Sequence, residues 1–221
     1  MDDSWLFSLR LSLQVASIAT FFVLLMGTWI AYILARKNFK GKELLDILFT
    51  LPLVLPPTVT GYYLVVLAGR SGLIGKPFYN WTGWSIMFTW YAAVLASFVV
   101  ALPLMIKTTR AAIESVDKNL INASYTLGHG EFTTAIKVIL PLSMKGIIAG
   151  TVLSFARAMG EFGATLMVAG NIPGRTATMP IAIYTSASSG DWSTANVMVI
   201  FFTLICGILL YIANQFSRKI I

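Results

Sequence analysis

The chain has 221 residues, 57% of them hydrophobic and 11% charged, with a formal net charge of +7. A soluble domain carries about 25% charged residues, so the composition excludes a water-soluble globular fold and, being so apolar, excludes disorder as well. A single cysteine and a single histidine exclude an intramolecular disulfide, a Cys- or His-based metal cluster and a Ser/His/Asp triad.

Five apolar stretches follow in chain order, at 11–35, 44–68, 86–106, 147–169 and 197–213. Most are long enough to cross a hydrocarbon core of about 30 Å, and the last is at the short end. They predict an all-α polytopic membrane protein of five transmembrane helices in a single domain over 1–221. The first stretch follows Asp2 and Asp3 instead of a basic segment and is too long for a signal-peptide core, so it reads as a retained anchor. Pro52, Pro56 and Pro57 interrupt the second stretch and Pro103 the third. A sixth, weaker stretch at 172–185 holds Pro173, Arg175 and Pro180 and reads as a short interfacial or re-entrant element, with a sixth span as the alternative.

Basic residues set the orientation. Arg36, Lys37, Lys40 and Lys42 lie between the first two spans, Lys107, Arg110, Lys118, Lys137 and Lys145 between the third and fourth, and Arg218 and Lys219 after the fifth. The opposite side has only Arg10, Arg70, Lys76 and Arg175. The N-terminus is therefore expected outside and the C-terminus in the cytoplasm. This dispersal between apolar runs argues for a lipid bilayer as partner and against nucleic acid.

The 107–145 connection is structured. Val116, Leu120, Ala123 and Leu127 recur at helical spacing, Gly128-His129-Gly130 breaks the pattern, and a second short helical run extends from 131 to 139 before Leu140-Pro141. A helix–glycine–helix hairpin on the cytoplasmic side is predicted. Its apolar stripe suits either lipid headgroups or a soluble partner that takes a helix into a groove.

Asn122-Ala123-Ser124, Gly128 and Val138-Ile139-Leu140-Pro141 resemble the EAA loop of ATP-binding-cassette importer permeases. That pattern runs Glu-Ala-Ala, three residues, Gly, nine residues, Ile, one residue, Leu-Pro. The chain departs from it at Asn122 and Ser124, and conservatively at Val138. Leu51 to Thr58 with Gly61-Tyr62, the run Ala156 to Thr165, and Gly170-Asn171-Ile172-Pro173-Gly174-Arg175-Thr176 are similar to the molybdate branch of these permeases. Sulfate permeases share the Gly-Glu-Phe-Gly portion. The resemblance implies a type I importer permease fold, and a homodimer with the path on its axis. It also implies a cytoplasmic ATPase dimer that grips the 122–141 loop, and a periplasmic oxyanion-binding protein received by the outer loops 69–85 and 170–196. With no G-x-x-x-x-G-K-[ST] loop in the sequence, ATP is expected on the partner subunit, and no cofactor or metal on this chain.

Two further groups of residues follow from the spans. Gly146, Gly150, Ser154 and Ala158 form a small-residue stripe at four-residue spacing, suited either to the dimer axis or to packing within the chain. Arg157 and Glu161 are one helical turn apart at depth in the fourth span. They read either as part of the path or gate, or as a self-neutralised structural pair. Pro56, Pro57 and Thr58 are expected near the path, because prolines free backbone carbonyls that only protein or a water-lined cavity satisfies. Sulfate or tungstate is the rival substrate. A passive channel and a membrane-embedded enzyme are the rival classes.

Overall fold

The computed structural model describes residues 3–219, almost all of them helical. Helix α1 (Asp3–Arg36) holds 34 residues, about 51 Å at 1.5 Å per residue. Helices α2 (Lys42–Val54) and α3 (Pro57–Ala68) form the second stretch, bent by 120°. The short α4 (Gly75–Thr82) follows, then α5 (Trp90–Glu114). The hairpin comprises α6 (Lys118–Thr126), α7 (Glu131–Thr134), a π-helical turn (Ala135–Ile139) and α8 (Leu140–Leu142). Helices α9 (Met144–Met159), α10 (Gly163–Ala169), α11 (Met179–Ser188) and α12 (Trp192–Lys219) complete the chain.

Among the described residues three helices are long and apolar enough to cross a membrane, and up to five spans result if the bent pairs Lys42–Val54 with Pro57–Ala68 and Glu131–Leu142 with Met144–Met159 each count as one. Two expected interruptions fall differently. Pro103 is buried inside α5, which continues unbroken. The fourth stretch instead breaks at Gly160–Phe162, where no proline stands. The weak sixth stretch is a loop followed by the 10-residue α11, about 15 Å and too short to span. The connections 69–85 and 170–196 are partly helical as well, through α4 and α11.

Helices α1, α5 and α9 form the main bundle. Ala16, Ala19, Val23, Ile30 and Leu34 meet Ala101, Leu102, Met105, Ile106, Ile147, Ala158 and Met159. The many alanines let the backbones approach, and close packing drives association where lipid is as apolar as the helix. The small-residue stripe of α9 lies in this interface. A Cβ on Gly146 would collide with the Ala112 side chain, one on Gly150 would lie 2.9 Å from Met105 Sδ, and Ser154 donates to the Ala101 carbonyl at 3.3 Å. The stripe therefore serves packing within the chain, against α5.

A second cluster joins Leu11 and Val15 of α1 to Leu64 of α3, Ala92, Ala93, Ala96 and Val100 of α5, and Ala164, Val168 and Ala169 of α10. Beyond α10 the chain turns at Gly170, φ 70° and ψ −168°, a region open essentially to glycine alone. Phe88, itself at φ 58°, donates its amide to the Val168 carbonyl at 2.9 Å. By contrast α2 buries no residue and α12 is largely exposed.

Candidate functional site

The hairpin is held by a few specific contacts. Asp117 caps α6, its carboxylate accepting from the Asn119 amide at 2.8 Å. Gly128 takes φ 82°, a left-handed conformation that an L side chain resists, while Gly130 is in the ordinary extended region. Across the turn the Ser124 hydroxyl lies 2.9 Å from the Thr134 hydroxyl, both buried, and 3.3 Å from His129 Nδ1. Ser124, a departure from the EAA pattern, is thus the polar clasp of the hairpin. The clasp is not legible in the sequence, because a hydroxyl pair ten residues apart has no periodic signature.

Ile113, Val116, Ile121 and Ile139 form a small core that fastens the hairpin to the end of α5, with Tyr32 and Ala35 of α1 packed on it. Val116 is therefore inside. Leu120 and Leu127 of the same stripe point outward, 48% and 78% exposed, and Asn122 and Ala123 are exposed beside them. Together with Ser124, His129, Lys137, Val138, Pro141 and Leu142, Leu120, Ala123 and Leu127 line an open groove of about 390 Å³. Leu140 faces inward, against the main bundle. An apolar face this exposed at the end of a membrane bundle is suited to receive a partner.

Salt bridges tie the same end together. Lys37 Nζ lies 2.7 Å from Glu131 Oε2, linking the exit of α1 to α7. Asp46 of α2 bridges Lys107 at 2.8 Å and Arg110 at 3.1 Å, and Arg110 also binds Glu114 at 2.7 Å. The Lys37 ammonium, hydrogen-bonded to the Glu131 carboxylate, holds that carboxyl below its ordinary range, and the lysine is raised in return.

The second site lies where α3 meets α10. Leu55 and Pro56 are extended, Pro57 opens α3, and the chain turns there by 120°. Opposite lies the break between α9 and α10. Arg157, in the last turn of α9, places Nη1 2.8 Å from Glu161 Oε2. Glu161 lies in the break itself, not on a continuous helix as the spacing suggested. Its side chain is 1% exposed and that of Arg157 29%. The other carboxylate oxygen accepts from the Ala164 amide at 2.8 Å, so Glu161 satisfies α10's first turn as well as the guanidinium. Gly163 touches Pro57 and Thr58, and Gly61 touches Ala164 and Met167. The structure thus unites Pro57, Thr58 and Glu161 at one crossing of two broken spans, with Pro56 next to it. Pro56, Pro57 and Thr58 remain exposed.

The family described as the binding-protein-dependent transport system inner membrane component matches residues 23–221. The molybdenum transport system permease protein ModB of Escherichia coli K12 is 46% identical over 201 residues, 90% of this chain and 87% of that protein. The ModB protein of Haemophilus influenzae is 41% identical, over 96% of this chain and 93% of that one. In fold, the chain is similar to the MetNI methionine ABC transporter in an inward-facing conformation. The TM-score is 0.78 at 15% identity, over 99% of this chain and 96% of that chain.

Proposed function

The chain belongs to the family of binding-protein-dependent transport system inner membrane components, and from this we propose that it is the membrane permease of an ATP-driven importer for molybdate. The substrate reading is supported by molybdenum transport permeases 46% and 41% identical to it. Tungstate and sulfate are tetrahedral dianions too, and stand as the alternatives. The permease itself is not an enzyme. A separate cytoplasmic ATPase dimer binds and hydrolyses ATP, a periplasmic binding protein delivers the oxyanion to the outer loops, and two copies of this chain enclose the path. The N-terminus lies outside and the hairpin faces the cytoplasm.

The observation that carries this reading is the exposed groove around Leu120, Ala123 and Leu127. A partner cleft that closes on it pulls a lever with two attachments. One is the Ile113–Val116–Ile121–Ile139 core at the end of α5. The other is α8, which leads into α9 across a 69° bend. Both α5 and α9 reach the crossing of α3 and α10, so a rigid-body displacement at the hairpin is delivered to the two breaks. There Arg157 presents a partly exposed cation whose charge Glu161 offsets. A dianion is guided past such a pair without being held, as passage requires.

The test is co-purification with the ATPase. Leu127→Asp puts a charge on the exposed groove without touching the hairpin core, and is expected to abolish association while leaving membrane insertion normal. Normal association of this variant would overturn the docking assignment.

A further inference from the structure

A second open apolar groove, of about 510 Å³, lies between α1 and the other face of the hairpin. Leu24, Leu25, Thr28, Trp29 and Tyr32 of α1 form one wall. The opposite wall comes from the α7–α8 limb, including Phe132 and Ile136, and from Met144 and Ile147 of α9. We propose that this groove holds one acyl chain of an anionic phospholipid from the cytoplasmic leaflet, with its headgroup on Arg36.

Depth, lining and charge agree. The α1 residues of the groove lie 4–12 positions before Arg36, hence roughly 6–18 Å from it along the axis, which is hydrocarbon depth for the leaflet in which the hairpin end sits. The groove's lining is almost wholly apolar, with the Thr28 and Tyr32 hydroxyls as the polar exceptions. Arg36 stands one turn beyond Tyr32 on the same face of α1. Among the described residues its guanidinium has a long 3.5 Å hydrogen bond to the Tyr125 hydroxyl and acts on Glu131 only through space, because that carboxylate is engaged by Lys37 at 2.7 Å. A guanidinium one turn above an apolar slot on the cytoplasmic side matches a phosphate headgroup above its chain. Such a lipid would pack α1 against the coupling hairpin and set how stiffly the lever is held.

The inference rests on the hairpin end being cytoplasmic, and its test does not depend on transport. The full permease, purified with its ATPase, is exchanged into mixed phosphatidylglycerol and phosphatidylcholine, and retained lipid is counted by native mass spectrometry. Wild type should retain phosphatidylglycerol preferentially. Arg36→Gln should cut that preference about fivefold, the ratio for about 1 kcal/mol per basic residue at an anionic surface. Ile136→Trp, which fills the slot from an exposed position, should lose the retained lipid whatever its headgroup. Equal retention of both lipids by all three proteins would overturn the proposal. So would an Ile136→Trp protein that keeps its lipid but falls apart into single copies, because the occupant would then be a second chain. Failure to bind ATPase with lipid retention intact would count against the transport reading alone.

Discussion

Gly163 lies directly against Pro57: a Cβ on the glycine would stand 3.0 Å from the proline Cβ and 3.3 Å from the amide nitrogen of Thr58. Each residue opens the second half of a broken span, α3 for Pro57 and α10 for Gly163. The contact therefore registers two breaks against each other at one level of the bundle. One turn further on, Gly61 meets Ala164 and Met167 in the same way.

That register makes the first prediction. Gly61→Ala places a Cβ 2.9 Å from the Ala164 Cα, a backbone atom that cannot step aside, and should destabilise the protein by about 1–3 kcal/mol. Gly27→Ala meets the Met105 side chain at 2.7 Å, and a flexible methionine yields more readily. Thermal unfolding in detergent should rank Gly61→Ala clearly below Gly27→Ala. Equal losses would mean that the α3–α10 contact is not the constraint described.

The second concerns Arg157 and Glu161. Removing one partner of a buried pair costs about 3–5 kcal/mol, while replacing both is often near neutral. Arg157→Met and Glu161→Gln should each lower the amount of inserted protein. The double variant should recover it, since glutamine still offers an oxygen to the Ala164 amide. Uptake per inserted complex then separates the roles: near-zero uptake with intact ATPase binding identifies a path or gate function, and normal uptake leaves a structural pair.

The third concerns pH. Lys37 lowers the folded carboxyl of Glu131 below its ordinary value, so this contribution is fully present above about pH 4.3 and is lost as pH falls through the lowered value. The lysine is raised, so its share is present below its ordinary value and is lost only as pH rises through the raised one. The tie between α1 and α7 should thus hold unchanged across neutral pH. Hydrogen exchange of the 131–139 amides should be flat between pH 6 and 8 after correction for intrinsic rates, faster in Lys37→Glu, and restored in the Lys37→Glu/Glu131→Lys exchange.

The fourth concerns topology. In a Cys206→Ser background, a cysteine at Asp3 should react with an impermeant thiol reagent applied to spheroplasts, and one at Lys40 should not. The reverse pattern would invert the orientation and remove the hairpin from the cytoplasm.

The spans were legible because uninterrupted apolar runs of this length have few other uses, and Pro56-Pro57 marked one break correctly. Pro103 misled, because its helix is embedded on several sides and packing carries α5 past the missing hydrogen bond. The break at Gly160–Phe162 was hidden, because the apolar run continues through it and Glu161 looked like a helix position. Its capping of α10 is a three-dimensional fact with only two flanking glycines as a local trace. In the hairpin, Gly128 announced the turn, but Ser124–Thr134 and Lys37–Glu131 depend on which surfaces meet. The groove residues Leu120 and Leu127 were legible as apolar periodicity, and only the fold separated them from Val116, which turns inward.

The most direct test of the account is uptake of radiolabelled molybdate by proteoliposomes holding this permease, its ATPase and the loaded binding protein. Wild type should accumulate molybdate only when ATP is supplied on the ATPase side, and Leu127→Asp should accumulate none while inserting normally. Uptake that persists without ATP, or in the Leu127→Asp protein at the wild-type rate, would contradict a permease driven through the hairpin.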